Sequence, residues 1–462
     1  MVQRFDAIIV GAGQAGPPLA GRLTAAGQTV AVIERKLFGG TCVNYGCIPT
    51  KTLVASAHAA HLARRGGEFG VNTGFEGAVT VDMAAVKARK DRISIADREG
   101  VESWLDGMQG CTVIRGHARF ESPCTIRVDD QLLEADRIFL NVGGRAVVPD
   151  MPGLADLDYL TNVGILELET VPEHLVIIGG SYIALEFAQM YRRFGARVTV
   201  VERGPRLTAR EDEDVSAAIK DILEAEGIDV VLNATAISFN NQDGGRAGFT
   251  VTPRDGAQPI VGSHLLVAVG RQPNTDDLGL EVAGVETDSR GYVVVDDQLR
   301  TSVARIWAMG DCNGRGAFTH TSYNDFEIVA ANLLDDDPRK VSDRVTTYAL
   351  YIDPPLGRAG MTVEEVRRSG RKALVGKRPM TRVGRAVEKG ETQGFMKVIV
   401  DAETEQILGA SILGVGGDEV VHAILDVMTA KLPYTAISRT MHIHPTVSEL
   451  VPTLLQDLKP LQ

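Results

Sequence analysis

The sequence predicts an α/β protein, because one order of elements occurs twice along its 462 residues. Each copy consists of a short apolar strand, a glycine-rich turn, a helix, a second strand and an acidic residue. The first glycine and the acidic residue lie 23 positions apart in both copies, as Gly11 with Glu34 and as Gly179 with Glu202. From about Val345 the chain lacks this pattern and carries strands and a helix of its own.

The first copy matches the fingerprint of a Rossmann-like dinucleotide-binding unit. Its turn contains Gly11, Gly13 and Gly16 directly after an apolar strand. Glycine at these positions allows the tight turn, the approach of backbone to a pyrophosphate and close packing of the helix. Glu34, at the end of the second strand, is placed to accept a hydrogen bond from a ribose hydroxyl. A glycine-rich turn alone is a weak signal, but the complete order of elements indicates a nucleotide site.

The second copy departs from the fingerprint at two positions. After Gly179, Ser181 occupies the position of the second glycine and Ala184 that of the third. Alanine is accepted at the third position, whereas serine adds a side chain where backbone meets phosphate, so we expect looser contact there. Two units of equal spacing predict that one chain binds two dinucleotides.

The composition is that of an ordinary globular protein, with 44% hydrophobic and 23% charged residues. Lys and Arg total 48 against 60 Asp and Glu, and the net charge of -12 excludes the basic surface of a nucleic-acid-binding protein. No apolar run is long enough to cross a membrane and no signal peptide is evident, so we expect a cytoplasmic protein without nucleic-acid or membrane partners. Its five cysteines do not form a structural disulfide framework.

Two of the cysteines, Cys42 and Cys47, are separated by four residues. Pro49 favours a helix start, and Gly66-Gly67 favours its end. Both thiols are therefore predicted at or just before a helix N-terminus, where the dipole lowers a thiol pKa and favours an attacking thiolate. The pair could instead be two bystander cysteines or half of a zinc site, but the remaining cysteines supply no matching second pair of ligands.

The chain resembles the FAD-dependent pyridine nucleotide-disulfide oxidoreductases, which include dihydrolipoamide dehydrogenase, glutathione reductase and mercuric reductase. The resemblance covers nearly the whole chain. It rests on the stretch 39–51 with its cysteine pair, the two dinucleotide units, Gly310-Asp311, and the string from His444 through Pro-Thr-x-Ser to Glu449. It implies an α/β fold class with two Rossmann-like dinucleotide-binding domains plus a C-terminal α+β dimerisation domain.

The resemblance also implies the domain boundaries and the cofactors. Residues 1–147 and 276–343 are expected to form an FAD-binding domain in two parts, residues 148–275 an NAD(P)-binding domain, and residues 344–462 the interface of a homodimer. The cofactors are FAD and NADH or NADPH, and no metal ion is expected. Residues expected to contact FAD are Gly11, Gly13, Gly16, Glu34, Arg35, Gly40, Thr41, Lys51, Gly116, His117, Ala118, Gly143, Gly144, Gly310 and Asp311. Residues expected to contact the nicotinamide dinucleotide are Gly179, Ser181, Tyr182, Ile183, Glu202, Arg203 and Gly270.

By the same resemblance, electrons pass from NAD(P)H through FAD to the Cys42–Cys47 disulfide and on to a small disulfide, or in reverse from a dithiol. Cys47 is the thiol nearer the flavin, and Cys42 is the interchange thiol that attacks the external disulfide. His444 acts as the general acid-base and Glu449 orients it, with the histidine completing the partner chain's site. Lys51 and Glu186 match a charged pair beside the flavin ring.

The choice of nicotinamide depends on opposing side chains at one strand end. Glu202 favours NADH because it bonds a ribose 2′-hydroxyl and repels a 2′-phosphate. Arg203 and Arg206 follow directly and are able to pair with that phosphate. We expect NADH.

The sequence leaves the substrate open. Mercuric reductases carry a cysteine pair near the C-terminus and lack the His-Glu dyad, whereas residues 451–462 here contain no cysteine and the dyad is present. Parts of the chain nevertheless resemble mercuric-reductase-like sequences. Two further functions also stay open: a reductase of quinones, oxygen or metals in which the cysteines are incidental, and a redox-sensing binding protein.

Four further residues stand out near these motifs. Tyr45 lies between the cysteines and either narrows the disulfide pocket or stacks on a substrate, while Cys312 beside Asp311 is expected to be a small buried hydrophobe. His442 is expected to be structural, and a functional role for His320 is the less favoured interpretation.

Overall fold

The computed structural model describes residues 2–72, 79–241, 248–254 and 256–461. Its strands are, in chain order, β1 Val2–Val10, β2 Val30–Glu34, β3 Cys111–Arg115, β4 Ala118–Ser122, β5 Thr125–Val128, β6 Gln131–Leu140, β7 Gly144–Ala146, β8 Tyr159–Leu160, β9 His174–Ile178, β10 Arg197–Val201, β11 Asp229–Val231, β12 Ser238–Asn241, β13 Phe249–Thr252, β14 Ile260–Gly262, β15 His264–Val267, β16 Arg271–Pro273, β17 Ile306–Ala308, β18 Thr347–Leu350, β19 Leu356–Gly360, β20 Ala373–Pro379, β21 Phe395–Asp401, β22 Ile407–Leu413 and β23 Lys459–Pro460. Its α-helices are α1 Gly16–Ala25, α2 Gly40–Tyr45, α3 Cys47–Arg65, α4 Met83–Asp106, α5 Tyr182–Phe194, α6 Glu213–Ala225, α7 Leu280–Ala283, α8 Thr319–Leu334, α9 Val363–Ser369, α10 Gly384–Glu388, α11 Gly417–Thr429, α12 Thr435–Ser438 and α13 Leu450–Leu454.

The chain divides into two compact units. The first contains residues 1–53, 84–147 and 270–344, and the second contains residues 54–83, 148–269 and 345–462. The first unit therefore holds the first dinucleotide pattern and the cysteine pair, while the second holds the other dinucleotide pattern and the C-terminal region.

The first unit is built on a sheet with strand order β3-β2-β1-β6-β5-β4, and β17 also pairs with β6. The strands β3, β2, β1, β6 and β17 are parallel to one another, whereas β5 pairs antiparallel with both β6 and β4. The apolar run in β1 is buried because a parallel strand is covered on both faces. Helix α1 follows the turn at once and buries Leu19 and Leu23.

The second unit repeats this arrangement and adds two antiparallel sheets. Its parallel sheet has the order β11-β10-β9-β15-β8, and α5 follows β9 through the second glycine-rich turn. A small sheet joins β12, β13 and β14. The C-terminal sheet has the order β18-β19-β22-β21-β20-β23, with its paired strands antiparallel, and α11 lies against β19 and β22. The predicted fold class of two Rossmann-like units followed by a C-terminal α+β region is confirmed.

Candidate active site

The first glycine-rich turn has no room for side chains. Gly11 has a φ of +103°, and a Cβ atom there would lie 2.3 Å from the carbonyl oxygen of Asn141. Gly40, at the start of α2, also has positive φ, and its Cβ would lie 2.9 Å from the Cα of Gly13. The amide of Gly16 donates to Asn141 Oδ1 at 3.1 Å. The result is a backbone cradle at a helix N-terminus, which suits the pyrophosphate of a dinucleotide.

A cavity of about 460 Å³ lies beyond the end of β2 and fits the nucleotide end of such a ligand. Arg35, Lys36, His117 and Arg145 contribute positive or titratable groups to its lining. Glu34 accepts hydrogen bonds from the amides of Ala12 and Lys36 at 2.9 and 2.8 Å. These bonds tie the acidic strand end to the glycine turn.

Asp311 lies at the carboxyl end of β17, as its motif predicts. The amide of Gly310 donates to the buried carboxylate of Asp325 at 2.7 Å, and this bond fixes the Gly310-Asp311 turn. Burial raises the pKa of Asp311, although Arg271 at 3.5 Å opposes this. A polar acid on a glycine turn at this sheet edge is suited to bind a hydroxyl-bearing chain of the cofactor.

The second glycine-rich turn repeats the geometry of the first. Gly179 has a φ of +115°, and a Cβ there would lie 2.4 Å from the carbonyl oxygen of Ala268. Ser181 has extended backbone and precedes α5, and its side chain makes no capping bond. Glu202 accepts a hydrogen bond from the amide of Gly204 at 2.6 Å. This bond holds its carboxylate beside the turn that a dinucleotide would meet.

The hydroxyl of Tyr182 points toward a buried carboxylate. It donates to Glu211 Oε1 at 2.8 Å, and Tyr348 donates to the same oxygen at 2.7 Å. Its neighbour Ile183 is 37% exposed at the first turn of α5. Of the two, Ile183 presents its side chain to solvent at the glycine turn.

The two cysteines lie on consecutive helices. The predicted helix start is confirmed for Cys47, which is the first residue of α3, whereas Cys42 lies in the separate short helix α2, which the sequence did not predict. Both are reduced and half-buried. The sulfur of Cys47 lies 3.1 Å from the hydroxyl of Thr319, at the start of α8. Two helix N-termini therefore approach Cys47, which favours negative charge on its sulfur.

The expectation that the helix dipole lowers the pKa of both thiols is wrong for Cys42. Its hydrogen bond with Cys47 and its burial raise the pKa of the Cys42 thiol. The cause is that a neighbouring sulfur and the loss of water both disfavour a second negative charge. Cys42 consequently needs a base before it becomes a nucleophile.

His444 and Glu449 form the expected dyad. The Nδ1 atom of His444 lies 2.9 Å from Glu449 Oε2, and the peptide between His444 and Pro445 is cis. The carboxylate fixes the ring so that Nε2 points outward, as in a general base oriented by an acid. In the single chain the His444 side chain is 81% exposed, so its reactive nitrogen is presented away from its own fold.

Comparison with known proteins assigns the chain to a family. Residues 5–325 match the pyridine nucleotide-disulphide oxidoreductases, and residues 346–455 match the dimerisation domain of the same proteins. The chain belongs to this family. The resemblance predicted from the sequence is thereby confirmed, together with the dimerisation domain.

Its relatives in this family have different activities. The probable pyridine nucleotide-disulfide oxidoreductase RclA of Escherichia coli is 35% identical over 99% of this chain and 100% of its own length. A mercuric reductase of Streptomyces lividans is 34% identical over 96% of this chain and 94% of its own. The dihydrolipoyl dehydrogenase of Haloferax volcanii is 31% identical, with the same two coverages. A solved Cu(II) complex of RclA, described as an HOCl-induced flavoprotein disulfide reductase, matches with a TM-score of 0.89 at 35% identity over 98% of this chain and 99% of that chain.

As a member of this family, the chain is a flavoprotein disulfide oxidoreductase that uses FAD and NAD(P)H. The narrow backbone cradle at Gly11 and Gly40 fits FAD, as does the cavity beyond β2, which is lined by Arg35, Lys36, Arg145 and His117 together with the carboxylates of Asp276 and Asp277. The buried Oδ1 atom of Asp277 has no hydrogen-bond partner in the described part of the chain, which leaves an acceptor for a bound group.

The structure also describes the local surroundings of the remaining predicted residues. Gly116, Gly143 and Gly270 have positive φ, and Gly144 lies where a Cβ would be 2.8 Å from the carbonyl oxygen of Gln272. Thr41 is 3.5 Å from Arg271, and Ala118 is buried on β4. Lys51 is half-buried on α3, and Glu186 on α5 accepts from the amide of Tyr351 at 3.0 Å. The pairing of Lys51 with Glu186 stays a prediction.

The structure also locates the residues that had alternative interpretations. Cys312 is fully buried and its sulfur lies 3.3 Å from the carbonyl oxygen of Met309, as a small core residue would. His442 contacts the carbonyl oxygen of Thr440, and the ring of His320 stacks on Phe318. Tyr45 is half-buried in α2.

Sequence reasoning missed Asn141, Asp325 and Thr319. Asn141 and Thr319 contact predicted site residues from distant parts of the chain, and Asp325 accepts from Gly310 across 15 positions. The signals available were weak: a polar residue after the apolar run of β6, and a threonine at a helix start. None of the described helices is both long and apolar enough to cross a membrane. Within the described ranges, no cluster of three or more His, Cys, Asp or Glu side chains is arranged to hold a metal ion.

Proposed function

We propose that this protein uses NADH to reduce a small disulfide, or oxidises the corresponding dithiol in the reverse direction. The observation that carries the proposal is the placement of the cysteine pair. Cys47 lies against the start of α8, while Cys42 lines a separate cavity of about 450 Å³. One sulfur is thus available to the electron donor and the other to a substrate. Bound FAD supplies the transfer of two electrons from the nicotinamide to the cysteine pair.

In the proposed cycle the reduced pair acts on the substrate in two exchanges. The thiolate of Cys42 forms a bond to one substrate sulfur, the substrate disulfide breaks, and the leaving sulfur takes the electron pair and then a proton. Cys47 then attacks Cys42, which releases the second substrate thiol and restores the Cys42–Cys47 disulfide. Two electrons and two protons pass to the substrate in total.

His444 supplies and removes these protons in the proposal. The raised pKa of Cys42 means that its thiol requires a base near neutral pH, and imidazole titrates in that range. Glu449 holds the ring through Nδ1 at 2.9 Å, which leaves Nε2 for proton transfer. The proposal also assigns Lys51 and Glu186 to a charged pair beside the flavin ring.

The protein is proposed to act as a homodimer in which each site is completed by the partner subunit's His444. The dimerisation domain supports this, as does the exposure of the segment before the dyad. Met441 is 95% and Ile443 is 80% exposed in the single chain, and large apolar side chains at such exposure mark an interface. The cytoplasm is the proposed location, because five cysteines in a chain of this length are no structural disulfide framework.

The proposal retains the domain boundaries and cofactor contacts stated from the sequence. Residues 1–147 and 276–343 would bind FAD, residues 148–275 would bind NADH, and residues 344–462 would form the dimer contact. NADH is favoured because the Glu202 carboxylate is fixed at the strand end, where a 2′-phosphate would meet its charge.

Stopped-flow reduction of the purified flavoprotein by each nicotinamide tests the cofactor choice. We expect NADH to give a higher second-order rate constant than NADPH by at least about tenfold. We also expect Glu202→Gln to narrow the difference by relieving repulsion of the 2′-phosphate. Faster reduction by NADPH would overturn the choice and assign recognition to Arg203 and Arg206.

Reduction of a metal ion at the same cysteine pair is the second candidate. The observation that favours it is the solved Cu(II) complex of RclA, together with the identity to mercuric reductases. Parallel NADH oxidation assays with lipoamide, glutathione disulfide, thiol-complexed Hg(II) and Cu(II) separate the two. Fast metal-dependent turnover with no disulfide accepted would make metal reduction the better assignment.

A further inference from the structure

One face of α4 lines the cavity that opens at Cys42. Asp97, Val101 and Trp104 recur at the spacing that places side chains on the same side of a helix. Gly100 lies among them, and a Cβ built there meets no atom within 4 Å. The cavity therefore has one wall that presents side chains toward the nucleophilic sulfur and retains open space beside it.

The wall is apolar and aromatic. Trp104 is 48% exposed, whereas tryptophan residues in folded proteins are usually mostly buried. Its ring lies close to α1, where a Cβ built on Gly21 would be 3.4 Å from its Cζ2 atom. Val43 and Ile48, from the two helices that carry the cysteines, line the same space. A flat exposed ring beside these side chains is a surface for stacking or hydrocarbon contact.

Asp97 is the only charged residue that lines the cavity in the described part of the chain. Its carboxylate is exposed and has no hydrogen bond or ion pair with any described residue. No lysine, arginine or histidine lines the cavity within that part of the chain. When Cys42 becomes a thiolate, a second negative charge joins the first, so the lining that this chain supplies repels anions and offers no cationic side chain to a carboxylate.

We propose that the substrate disulfide at Cys42 is apolar and carries no negative charge near its sulfurs, with a ring or hydrocarbon segment seated on Trp104. This inference rests on the proposed disulfide reduction and specifies its substrate class. A neutral or cationic cyclic or aryl disulfide fits the cavity. A disulfide flanked by carboxylates, such as glutathione disulfide, does not.

Lipoamide and lipoate form a matched pair of probes, because they share one dithiolane ring and differ by one negative charge. With NADH as donor and the intact flavoprotein, we expect kcat/KM for lipoamide to exceed that for lipoate by about fivefold at low salt. Asp97→Asn should reduce this ratio, and Asp97→Lys should bring it to one or below. A ratio near one in the wild type, or a ratio unchanged by Asp97→Lys, would overturn the inference.

Three substitutions on the same helix test the contact surface. Trp104→Ala should lower kcat/KM for lipoamide about tenfold through KM, because the stacking surface is lost. Gly100→Leu should lower it by filling the open space, without backbone strain in a helix. Ile95→Ala is the control, since Ile95 is exposed on α4 but does not line the cavity. Equal effects of Trp104→Ala and Ile95→Ala would contradict the assignment of the wall.

A separate measurement of flavin reduction by NADH distinguishes failure of the proposed function from failure of the proposed substrate class. The rate of flavin reduction in all these variants should equal that of the wild type. If NADH reduces the flavin but no disulfide of any charge is turned over, the proposed function fails and this inference with it. If disulfides are turned over and glutathione disulfide equals lipoamide, disulfide reduction stands and the substrate class is wrong.

Discussion

The two sulfurs of the cysteine pair have different surroundings. Cys47 begins α3 and lies 3.1 Å from the hydroxyl of Thr319, whereas Cys42 lines the cavity with α4, although the same hydroxyl acts to lower the pKa of Cys42. Hydrogen bonding to Cys47 and burial raise the pKa of Cys42. In the reduced pair, a single negative charge should therefore reside on Cys47, stabilised by the two helix starts.

This charge distribution predicts opposite spectra for the two single cysteine variants. Cys42→Ser should keep or increase the long-wavelength absorbance that a thiolate gives beside bound FAD, and Cys47→Ser should abolish it. A pH titration of the band in Cys42→Ser reports the Cys47 thiol directly. Thr319→Val should shift that titration to higher pH, because the thiolate loses a hydrogen-bond donor. A band that persists only in Cys47→Ser would exchange the two roles.

His444 provides a second test at the residue scale, with His442 as its internal control. His444→Gln should lower disulfide turnover by about 10²–10⁴-fold and leave flavin reduction by NADH unchanged, because only thiol exchange needs the imidazole. Glu449→Gln should give a smaller loss. His442→Gln should resemble the wild type, since the hydrogen bond of the His442 ring goes to the carbonyl oxygen of Thr440 and not to a group of the dyad. Equal losses in both histidine variants would point to a disturbed loop instead.

At the scale of elements, the first glycine turn combines a positive φ with a lack of space. Gly11→Ala would bring a Cβ within 2.3 Å of the Asn141 carbonyl oxygen, so the turn must open. Gly27, just after α1, has a similar φ of +81° but no atom within 4 Å of its Cβ position. Gly27→Ala therefore carries only the backbone strain of a positive φ.

We expect Gly11→Ala to lose most of its FAD on desalting and Gly27→Ala to retain it. The FAD content per chain, read from absorbance after release of the cofactor, measures this. A slightly lower melting temperature is expected for Gly27→Ala. If Gly11→Ala kept a full complement of FAD, the cradle at this turn would not be the binding site.

Within the second unit, His58 of helix α3 pairs with Asp353. The hydrogen bond between His58 Nδ1 and Asp353, at 2.7 Å, raises the pKa of His58. Burial alone would raise the pKa of Asp353, but the bond from His58 and the charge of Arg193 hold it well below its usual range. The raised pKa of His58 stabilises the fold below the ordinary histidine pKa, and this stabilisation is lost as pH rises through the higher folded value. The lowered pKa of Asp353 stabilises the fold above the ordinary aspartate pKa, and this stabilisation is lost as pH falls through the lower folded value.

His58→Gln should therefore destabilise the protein most at about pH 5.5–6, with the difference shrinking as pH rises toward 9. The His58 side chain is 41% exposed, so the shift in melting temperature should be no more than about 2 °C. Differential scanning fluorimetry of wild type and variant across this range measures it. A difference that grows with pH would show that the neutral imidazole is the stabilising form.

For the whole molecule, the exposed segment before the His-Glu dyad predicts dimerisation. Met441→Asp with Ile443→Asp should convert the protein to a monomer that still binds FAD and is reduced by NADH, but has lost disulfide turnover. Sedimentation velocity measures the oligomeric state of each variant. Val261→Asp, which places the same charge at a residue 54% exposed on β14, is the control and should remain dimeric. A fully active monomer would contradict a site completed by the partner subunit.

The sequence by itself determined the features encoded over short stretches. The glycine turns, the acidic strand ends, the Cys42–Cys47 pair and the His444–Glu449 dyad each depend on residues close together in the chain. Backbone sterics and helix starts act at that range, so these patterns predicted the two Rossmann-like units and the redox centre. The family resemblance supplied the C-terminal domain, which no local pattern identified.

Tertiary structure alone decided how these features are held and what surrounds them. Asn141 bonds to Gly16 across 125 positions of sequence, and Thr319 reaches Cys47 across 272. The wall that Trp104 and Asp97 form beside Cys42 also comes from a helix distant in the chain. Desolvation and hydrogen bonding depend on which groups meet in space, and sequence spacing does not specify that.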